Sequence, residues 1–168
     1  MRQLTLAALA LLAACTAPAP ERLYRNPAQT ISSAALFDPA RFGGDWQVVA
    51  AYGAEAACGA LRESWTVREA GGFDIRGTRC TPLGLRSFAT VGQLAGPGRI
   101  ERAGRSGPEA LWVLWVDTDY RVAVLGTPSG AFGRILSRQK SLSADLVTAA
   151  RGVLEFNGYD ISQLVWLK

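Results

Sequence analysis

Short stretches of apolar, β-branched and aromatic residues recur along the chain after Phe42, and glycine, proline or aspartate residues interrupt each of them. This rhythm is typical of an all-β protein, in which short strands are separated by tight turns. It predicts strands at residues 46–52, 61–68, 73–80, 85–93, 99–103, 110–117, 120–126 and 133–137. Eight consecutive strands joined by short turns predict an antiparallel up-and-down β-barrel.

The spacing of apolar residues changes from strand-like to helical after Arg138. The apolar positions follow Ser143, a residue suited to begin a helix, and stop before Asn157-Gly158. They are Leu146, Ala149, Ala150, Val153 and Leu154. We expect one C-terminal α-helix packed outside the barrel, because a lumen that is filled or occupied leaves only the outer wall. Residues 161–167 predict a short terminal strand.

The N-terminal segment opens with Arg2, continues through an apolar run and ends in Ala13-Ala14-Cys15. A run this short cannot span about 30 Å of hydrocarbon as a helix, so it predicts a secretory signal. Residues 12–15 resemble the lipobox of bacterial lipoproteins, whose cysteine is acylated after the chain is cut before it. The resemblance implies a signal peptide at residues 1–14 and a lipid on Cys15. The alternative is an ordinary secretory signal with an incidental cysteine.

The rest of the chain is long enough for one domain with a core and too short for two. Residues 16–21 contain two prolines and no apolar periodicity, which predicts a flexible tether. We therefore assign residues 15–36 to a lipidated tether with an N-terminal extension and residues 37–168 to the folded domain. Thr16 after the cysteine, by resemblance to sorted lipoproteins, favours the bacterial outer membrane, with the protein facing the periplasm.

The other two cysteines, Cys58 and Cys80, would lie in an oxidising compartment, which predicts a disulfide between them. Strands running back from a turn at Gly71-Gly72 bring residues near Leu61 opposite Cys80, a short step from Cys58. Two buried free thiols are the alternative.

Charge excludes one class of function. The formal net charge is +4, and the arginines are scattered rather than clustered, so the sequence shows no footprint for a nucleic acid. The arginines between Arg62 and Arg105 would attract anionic lipid headgroups weakly, or would simply form a solvated strand face.

Three short motifs carry a resemblance to the lipocalin family. Gly44-x-Trp46 resembles the first lipocalin motif, Thr118-Asp119-Tyr120 the second, and Arg138 the third, in the same order and at similar spacing. The C-terminal run at residues 158–166 and the lipobox resemble bacterial outer-membrane lipoprotein lipocalins in particular. The resemblance implies that Gly44, Trp46 and Arg138 form a structural floor at one end of the barrel, with the guanidinium of Arg138 laid over the Trp46 ring.

The alternation of strand side chains predicts which residues face the lumen and bind ligand. Because Arg121 is an unlikely lining for an apolar cavity, its neighbours on the opposite face are assigned inward. Plain core filling is the alternative for each aromatic residue. The predicted ligand-binding residues are Val48, Ala50, Tyr52, Trp65, Val67, Phe73, Ile75, Tyr120, Val122 and Val124. Residues 111–116 are apolar on both faces, so alternation leaves their orientation open.

The sequence offers little for catalysis, because it contains no histidine and its cysteines are committed elsewhere. Asp117 and Asp119 are the nearest to a carboxylate pair, and we assign them to the geometry of a turn. We expect no enzyme activity, no cofactor and no metal. The expected function is storage or transport of a lipid-like amphiphile, a fatty acid such as palmitate or a lysophospholipid, bound tail inward between the Trp46 floor and the Tyr52 rim. A structural envelope lipoprotein acting through protein–protein contacts is the alternative.

Overall fold

The computed structural model describes residues 22–104 and 107–168. The predicted signal peptide, Cys15 and the tether at residues 16–21 lie outside the described residues, so the structure does not bear on them.

Eight antiparallel strands form a closed up-and-down barrel, as predicted. Each strand pairs with the next in sequence, and β1 closes the barrel by pairing with both β2 and β8. The strands are β1 (Gly44–Ala51), β2 (Leu61–Val67), β3 (Phe73–Thr81), β4 (Gly84–Gly96), β5 (Arg99–Gly104), β6 (Gly107–Val116), β7 (Val122–Gly126) and β8 (Gly133–Ser137).

Two α-helices and one further strand complete the fold of the described residues. The short helix α1 (Pro39–Phe42) precedes β1, and α2 (Ala144–Phe156) follows β8. The predicted terminal strand is shorter than expected: a 3₁₀ turn at Ile161–Gln163 leads to β9 (Val165–Trp166), which pairs with the end of β1.

Helix α2 begins after Ser143 and packs on the outer wall of the barrel, as predicted. Leu146, Ala150 and Leu154, spaced four residues apart, are buried against that wall, whereas Ala149 is exposed. The contact is therefore narrower than the apolar stripe suggested by sequence. In the part of the chain that the structure describes, no helix is long and apolar enough to cross a membrane.

Two irregularities in pairing decide which side chains face inward. The pairing of β1 with β8 shifts between Val48 and Ala50, and the pairing of β6 with β7 shifts between Val113 and Trp115. A β-bulge inserts one residue, so it reverses the inward and outward alternation of everything beyond it.

The residues before Phe37 are part of the folded body from Arg22 onward. Arg25 is 6% exposed and donates from Nε to the Asn157 carbonyl at 3.0 Å and from a terminal nitrogen to the Pro128 carbonyl at 2.5 Å. The Ala34 amide donates to the Val113 carbonyl at 2.8 Å. The N-terminal extension therefore packs on the barrel, where it contacts backbone groups that would otherwise be left open.

Candidate ligand-binding site

The antiparallel order gives the barrel two different ends. Helix α1 and the turn at Asp117–Arg121 lie where β1 begins. The 3₁₀ segment Gly53–Cys58, the β3–β4 turn and the loop at residues 127–132 lie where β1 ends. We call these the closed end and the open end.

The closed end has the floor that the sequence predicted. Trp46 is 1% exposed, and the Arg138 guanidinium carbon lies 4.1 Å from its ring centroid. Arg138 also donates to the carbonyls of Tyr120 at 2.9 Å and Gly43 at 2.6 Å. Burial lowers the pKa of Arg138 from its usual value. Gly44 has a φ of +103°, and a Cβ there would meet the guanidinium at 2.9 Å, so this position requires glycine.

Aromatic side chains fill the barrel above the floor. The Phe42 ring lies 5.2 Å from Trp46, 5.1 Å from Trp65 and 5.8 Å from Phe73, centroid to centroid. These four residues are at most 1% exposed. The closed half is therefore a packed core with no room for a ligand.

Asp117 serves the turn at the closed end. Its carboxylate accepts from the Val122 amide at 2.7 Å and from the Arg121 amide and guanidinium at 2.5 and 2.7 Å. Burial alone would raise the pKa of Asp117, but these hydrogen bonds lower it below its usual value. This arrangement is the turn geometry predicted for the second motif.

A cavity of about 950 Å³ occupies the open half and opens to solvent. Its lining comes from β3–β6, β8, the 3₁₀ segment Gly53–Cys58 and the loop at residues 127–132. The lining mixes aromatic and small apolar residues such as Phe88, Phe132 and Ala110 with charged residues such as Arg79 and Glu109.

The base of the cavity is a layer of paired charges. Arg134 on β8 is 3% exposed; it donates to Glu63 on β2 and, at 2.6 Å, to Glu55 in the 3₁₀ segment. Arg102 pairs with Glu109 at 2.9 Å. The Phe132 ring lies between the two arginines, 4.3 Å from the Arg134 guanidinium carbon and 5.2 Å from that of Arg102.

A disulfide holds the 3₁₀ segment to the barrel. Cys58 and Cys80 are bonded, with their Cα atoms 5.4 Å apart, as predicted. The bond joins the end of the segment that carries Glu55 to the end of β3, so the position of that segment over the cavity is covalently restrained.

Five of the predicted ligand-binding residues lie inside the barrel, but in its packed closed half. Val48, Trp65, Phe73, Ile75 and Tyr120 belong to the interior cluster and are at most 6% exposed. Val67 lies at the closed end of β2 and is 43% exposed. None of these six residues lines the cavity. Aromatic side chains fill the space next to Trp46, where an acyl tail was expected.

The predicted inward orientation is wrong for Ala50, Tyr52, Val122 and Val124. All four belong to the cluster that packs with α2 and the N-terminal segment outside the barrel. The bulge between Val48 and Ala50 turns Ala50 and Tyr52 outward. In the turn before β7, Tyr120 has a φ of +56°, which breaks the alternation assumed to continue into Val122.

Tyr52 nevertheless reaches the rim of the cavity, where it stacks on Tyr24 at 5.1 Å and lies 5.5 Å from Tyr159. Burial raises the pKa of Tyr52 above its usual value. Of the ten predicted ligand-binding residues, it is the one that lines the cavity.

The structure settles the orientation of residues 111–116. Leu111, Val113 and Val116 pack with the interior cluster, and Trp112, Leu114 and Trp115 pack with the outer cluster. The stretch is apolar on both sides because the lumen lies on one side and α2 on the other.

The charged layer is the part of the site that sequence reasoning missed. Glu63 lies between Leu61 and Trp65 in the alternation, and all three are buried. The sequence did contain a signal for this layer: the Glu63 carboxylate lies on a strand face whose other residues are apolar and point inward. Its partner Arg134 is 71 residues away in the chain, and only closure of the barrel brings them together.

Comparison with known proteins agrees with this geometry. The lipocalin-like domain profile matches residues 37–168. The siderocalin Ex-FABP, described as functioning through dual ligand specificities, shares 18% identity with a TM-score of 0.58, over 76% of this chain and 93% of that one. Lobster apocrustacyanin A1 shares 17% identity with a TM-score of 0.62, over 76% of this chain and 77% of that one.

Apocrustacyanin C1 is similar to the same degree, with 17% identity and a TM-score of 0.61, over 82% of this chain and 88% of that one. Identities this low show the shared fold alone. No curated protein sequence matches the chain. The profile, in contrast, covers the whole barrel together with α2 and the C-terminal strand. The chain therefore belongs to the lipocalin-like family.

Proposed function

We propose that this lipocalin holds a single-chain amphiphile, a fatty acid or a lysophospholipid, in the open half of its barrel. It stores or carries that molecule at the periplasmic side of a bacterial outer membrane, to which a lipid on Cys15 anchors it. Lipocalins generally bind small hydrophobic ligands. The observation that carries the proposal is the cavity of about 950 Å³ above a sealed and packed floor.

The size of the cavity favours one acyl chain over two. Pockets of roughly 300–1,000 Å³ suit a single small ligand. The packed aromatic cluster prevents a second chain from extending deeper, since Trp46, Trp65 and Phe73 are at most 1% exposed. Both chains of a two-chain phospholipid would therefore have to fit within the open half.

The start of the described chain favours an open end that faces the membrane. Tyr24 lies at that end, where its amide donates to the Gly130 carbonyl at 2.8 Å and its ring stacks on Tyr52. Residues 15–21 reach at most about 25 Å when fully extended. A lipid on Cys15 would thus keep the cavity mouth close to the bilayer.

The β3–β4 turn at the open end has a chemistry suited to lipid headgroups. Leu83 at its tip is 80% exposed, and the exposed residues Arg79 and Arg86 pair directly across the two strands. Like charges placed opposite each other destabilise a sheet. Anionic headgroups would offset that repulsion while Leu83 enters the interface. Between Asp74 and Glu101 the chain has no carboxylate side chain.

The cavity can be tested with two neighbouring substitutions on one strand. Thr90 on β4 pairs with the inward-facing Ile75 and lines the cavity, whereas Val91 is 39% exposed on the other face. Thr90→Trp should fill the cavity and Val91→Trp should not. Native mass spectrometry of the purified protein in digitonin, with palmitic acid, a lysophospholipid or a two-chain phospholipid, measures the bound fraction.

We expect wild-type protein and Val91→Trp to retain the single-chain ligands and Thr90→Trp to lose them. Equal binding by both variants would place the ligand elsewhere. If the wild-type protein retains none of the three ligands, the carrier function is wrong and an envelope lipoprotein that acts through protein contacts becomes the better explanation.

A further inference from the structure

Arg134 at the base of the cavity has one guanidinium nitrogen that makes no hydrogen bond among the described residues. Its two terminal nitrogens donate to Glu63 and Glu55. Its Nε is fully buried and has no partner among the described residues. A buried guanidinium donor without an acceptor is costly, so an arrangement of this kind suits a ligand that brings an acceptor oxygen.

The two carboxylates that contact Arg134 are not equivalent. Glu63 is 2% exposed, lies within the sheet and also accepts from the Trp65 indole nitrogen at 3.0 Å. Glu55 is 22% exposed, comes from the 3₁₀ segment over the cavity and contacts Arg134 alone among the described residues. Glu63 is thus the permanent partner of Arg134, and Glu55 is replaceable.

The charges at the site also distinguish Glu63 from Glu55. Arg134 and Glu63 together are neutral, so Glu55 adds one net negative charge to a largely desolvated site. A ligand carboxylate that replaced Glu55 would keep the same number of charges, while the freed Glu55 side chain could turn towards solvent. The Cys58–Cys80 bond lies three residues beyond Glu55, so this exchange needs a side-chain rotation rather than departure of the whole segment.

We propose that Glu55 occupies the subsite of an anionic ligand head: a carboxylate enters the barrel first, displaces Glu55 and binds Arg134 through a terminal nitrogen and Nε. The acyl tail then lies along Phe132 and Phe88 towards the mouth. This orientation is opposite to a tail directed at the Trp46 floor. It selects fatty acids over uncharged or zwitterionic single-chain lipids, and it rests on the proposed function of the same cavity.

The test compares palmitic acid with hexadecanol, which has the same chain length and no charge. Native mass spectrometry of the full lipidated protein in digitonin gives the affinity for each ligand. In Glu55→Gln the competing charge is removed at nearly constant size. We expect this variant to bind palmitic acid about tenfold more tightly, because the ligand no longer has to break the charged hydrogen bond between Arg134 and Glu55. Its affinity for hexadecanol should equal that of the wild-type protein.

Glu109→Gln is the matched control, because it removes the same charge from the other ion pair that lines the cavity. A gain for palmitic acid equal to that of Glu55→Gln would overturn the subsite, because cavity charge in general would then explain the result. An unchanged or lower affinity of Glu55→Gln for palmitic acid would overturn it as well. Thermal unfolding confirms that both variants are folded.

The outcomes separate this inference from the proposed function. If hexadecanol and palmitic acid bind equally well and Glu55→Gln changes neither, the cavity still holds a single-chain lipid and only the anionic subsite is wrong. If neither ligand binds any of the three proteins, the proposed function fails together with the subsite.

Discussion

The two halves of the barrel have different interiors, one aromatic and packed, the other charged and open. In the closed half Phe42, Trp46, Trp65 and Phe73 pack ring against ring and exclude water. In the open half Arg134 and Arg102 are neutralised by carboxylates around an open cavity. The difference shows that the closed half is a packed core, whereas the cavity and its charged lining lie in the open half.

Removal of Glu63 should have the largest effect, because it joins the two halves. Glu63→Ala would leave Arg134 buried beside Glu55 alone and would remove the acceptor of the Trp65 indole. Losing one partner of a buried pair costs up to about 3–5 kcal/mol of unfolding free energy, and the remaining contact of Arg134 with Glu55 would offset part of that loss. Urea unfolding measures it. Glu109→Ala, whose side chain is 31% exposed, should cost about 1 kcal/mol or less; equal losses would contradict the distinction between the pairs.

Loss of the disulfide should come next and should act on the open end. In the chain-entropy model, a loop of 22 residues accounts for about 3 kcal/mol of stability. Cys58→Ser combined with Cys80→Ser should lower the unfolding temperature by a corresponding amount. Hydrogen exchange should become faster in the 3₁₀ segment and at the end of β3, while the amides around Trp46 remain protected in the native state. Faster local exchange at both ends alike would show that the halves are not independent.

Substitution of Arg138 should destabilise the protein without changing what it binds. Arg138→Ala removes the stacking on Trp46, worth about 0.5–2 kcal/mol, and removes a donor from the part-buried carbonyls of Tyr120 and Gly43. Calorimetry should show a lower unfolding temperature, and mass spectrometry should show unchanged palmitic acid affinity. The comparison variant is Arg41→Ala, which loses its stacking on Tyr120 and its hydrogen bond to the Thr118 carbonyl at 2.7 Å, both at the exposed rim. A marked loss of binding in Arg138→Ala would mean that the floor reaches the site.

The smallest expected effect is a pH-dependent change in the stabilisation that Asp117 gives to its turn. The pKa of Asp117 is lower in the folded protein than its unfolded value of about 3.9. The ionised carboxylate therefore stabilises the fold fully at pH values above its unfolded pKa. This stabilisation is lost as the pH falls through the lower pKa of the folded protein. The stability difference between wild-type protein and Asp117→Asn should shrink below about pH 4. Asp119→Asn, with its side chain 65% exposed, is the control; a difference that grows in acid would contradict the assignment.

Much of the barrel could be predicted from local signals. The eight strands, the outer helix and the Cys58–Cys80 bond were all predicted because alternation, helical spacing and cysteine pairing operate over short stretches of chain. The stacking of Arg138 on Trp46 was predicted from resemblance to a family rather than from the residues alone. The predicted residues mostly do not line the cavity, for two reasons: some face inward but lie in the packed closed half, and others were given an inward orientation that breaks in alternation reverse.

The sequence by itself determined the strand order and the barrel, since both follow from a period of two and short turns, whereas the sealed end was implied by a family resemblance. Only the tertiary structure decided which faces point inward and where the cavity lies. One bulged residue in β1 reverses Ala50 and Tyr52, and the cover of α2 makes the outer face of β7 as apolar as the lumen. The charged layer depends on closure, because Arg134 and Glu63 meet only when β8 and β2 flank the same strand.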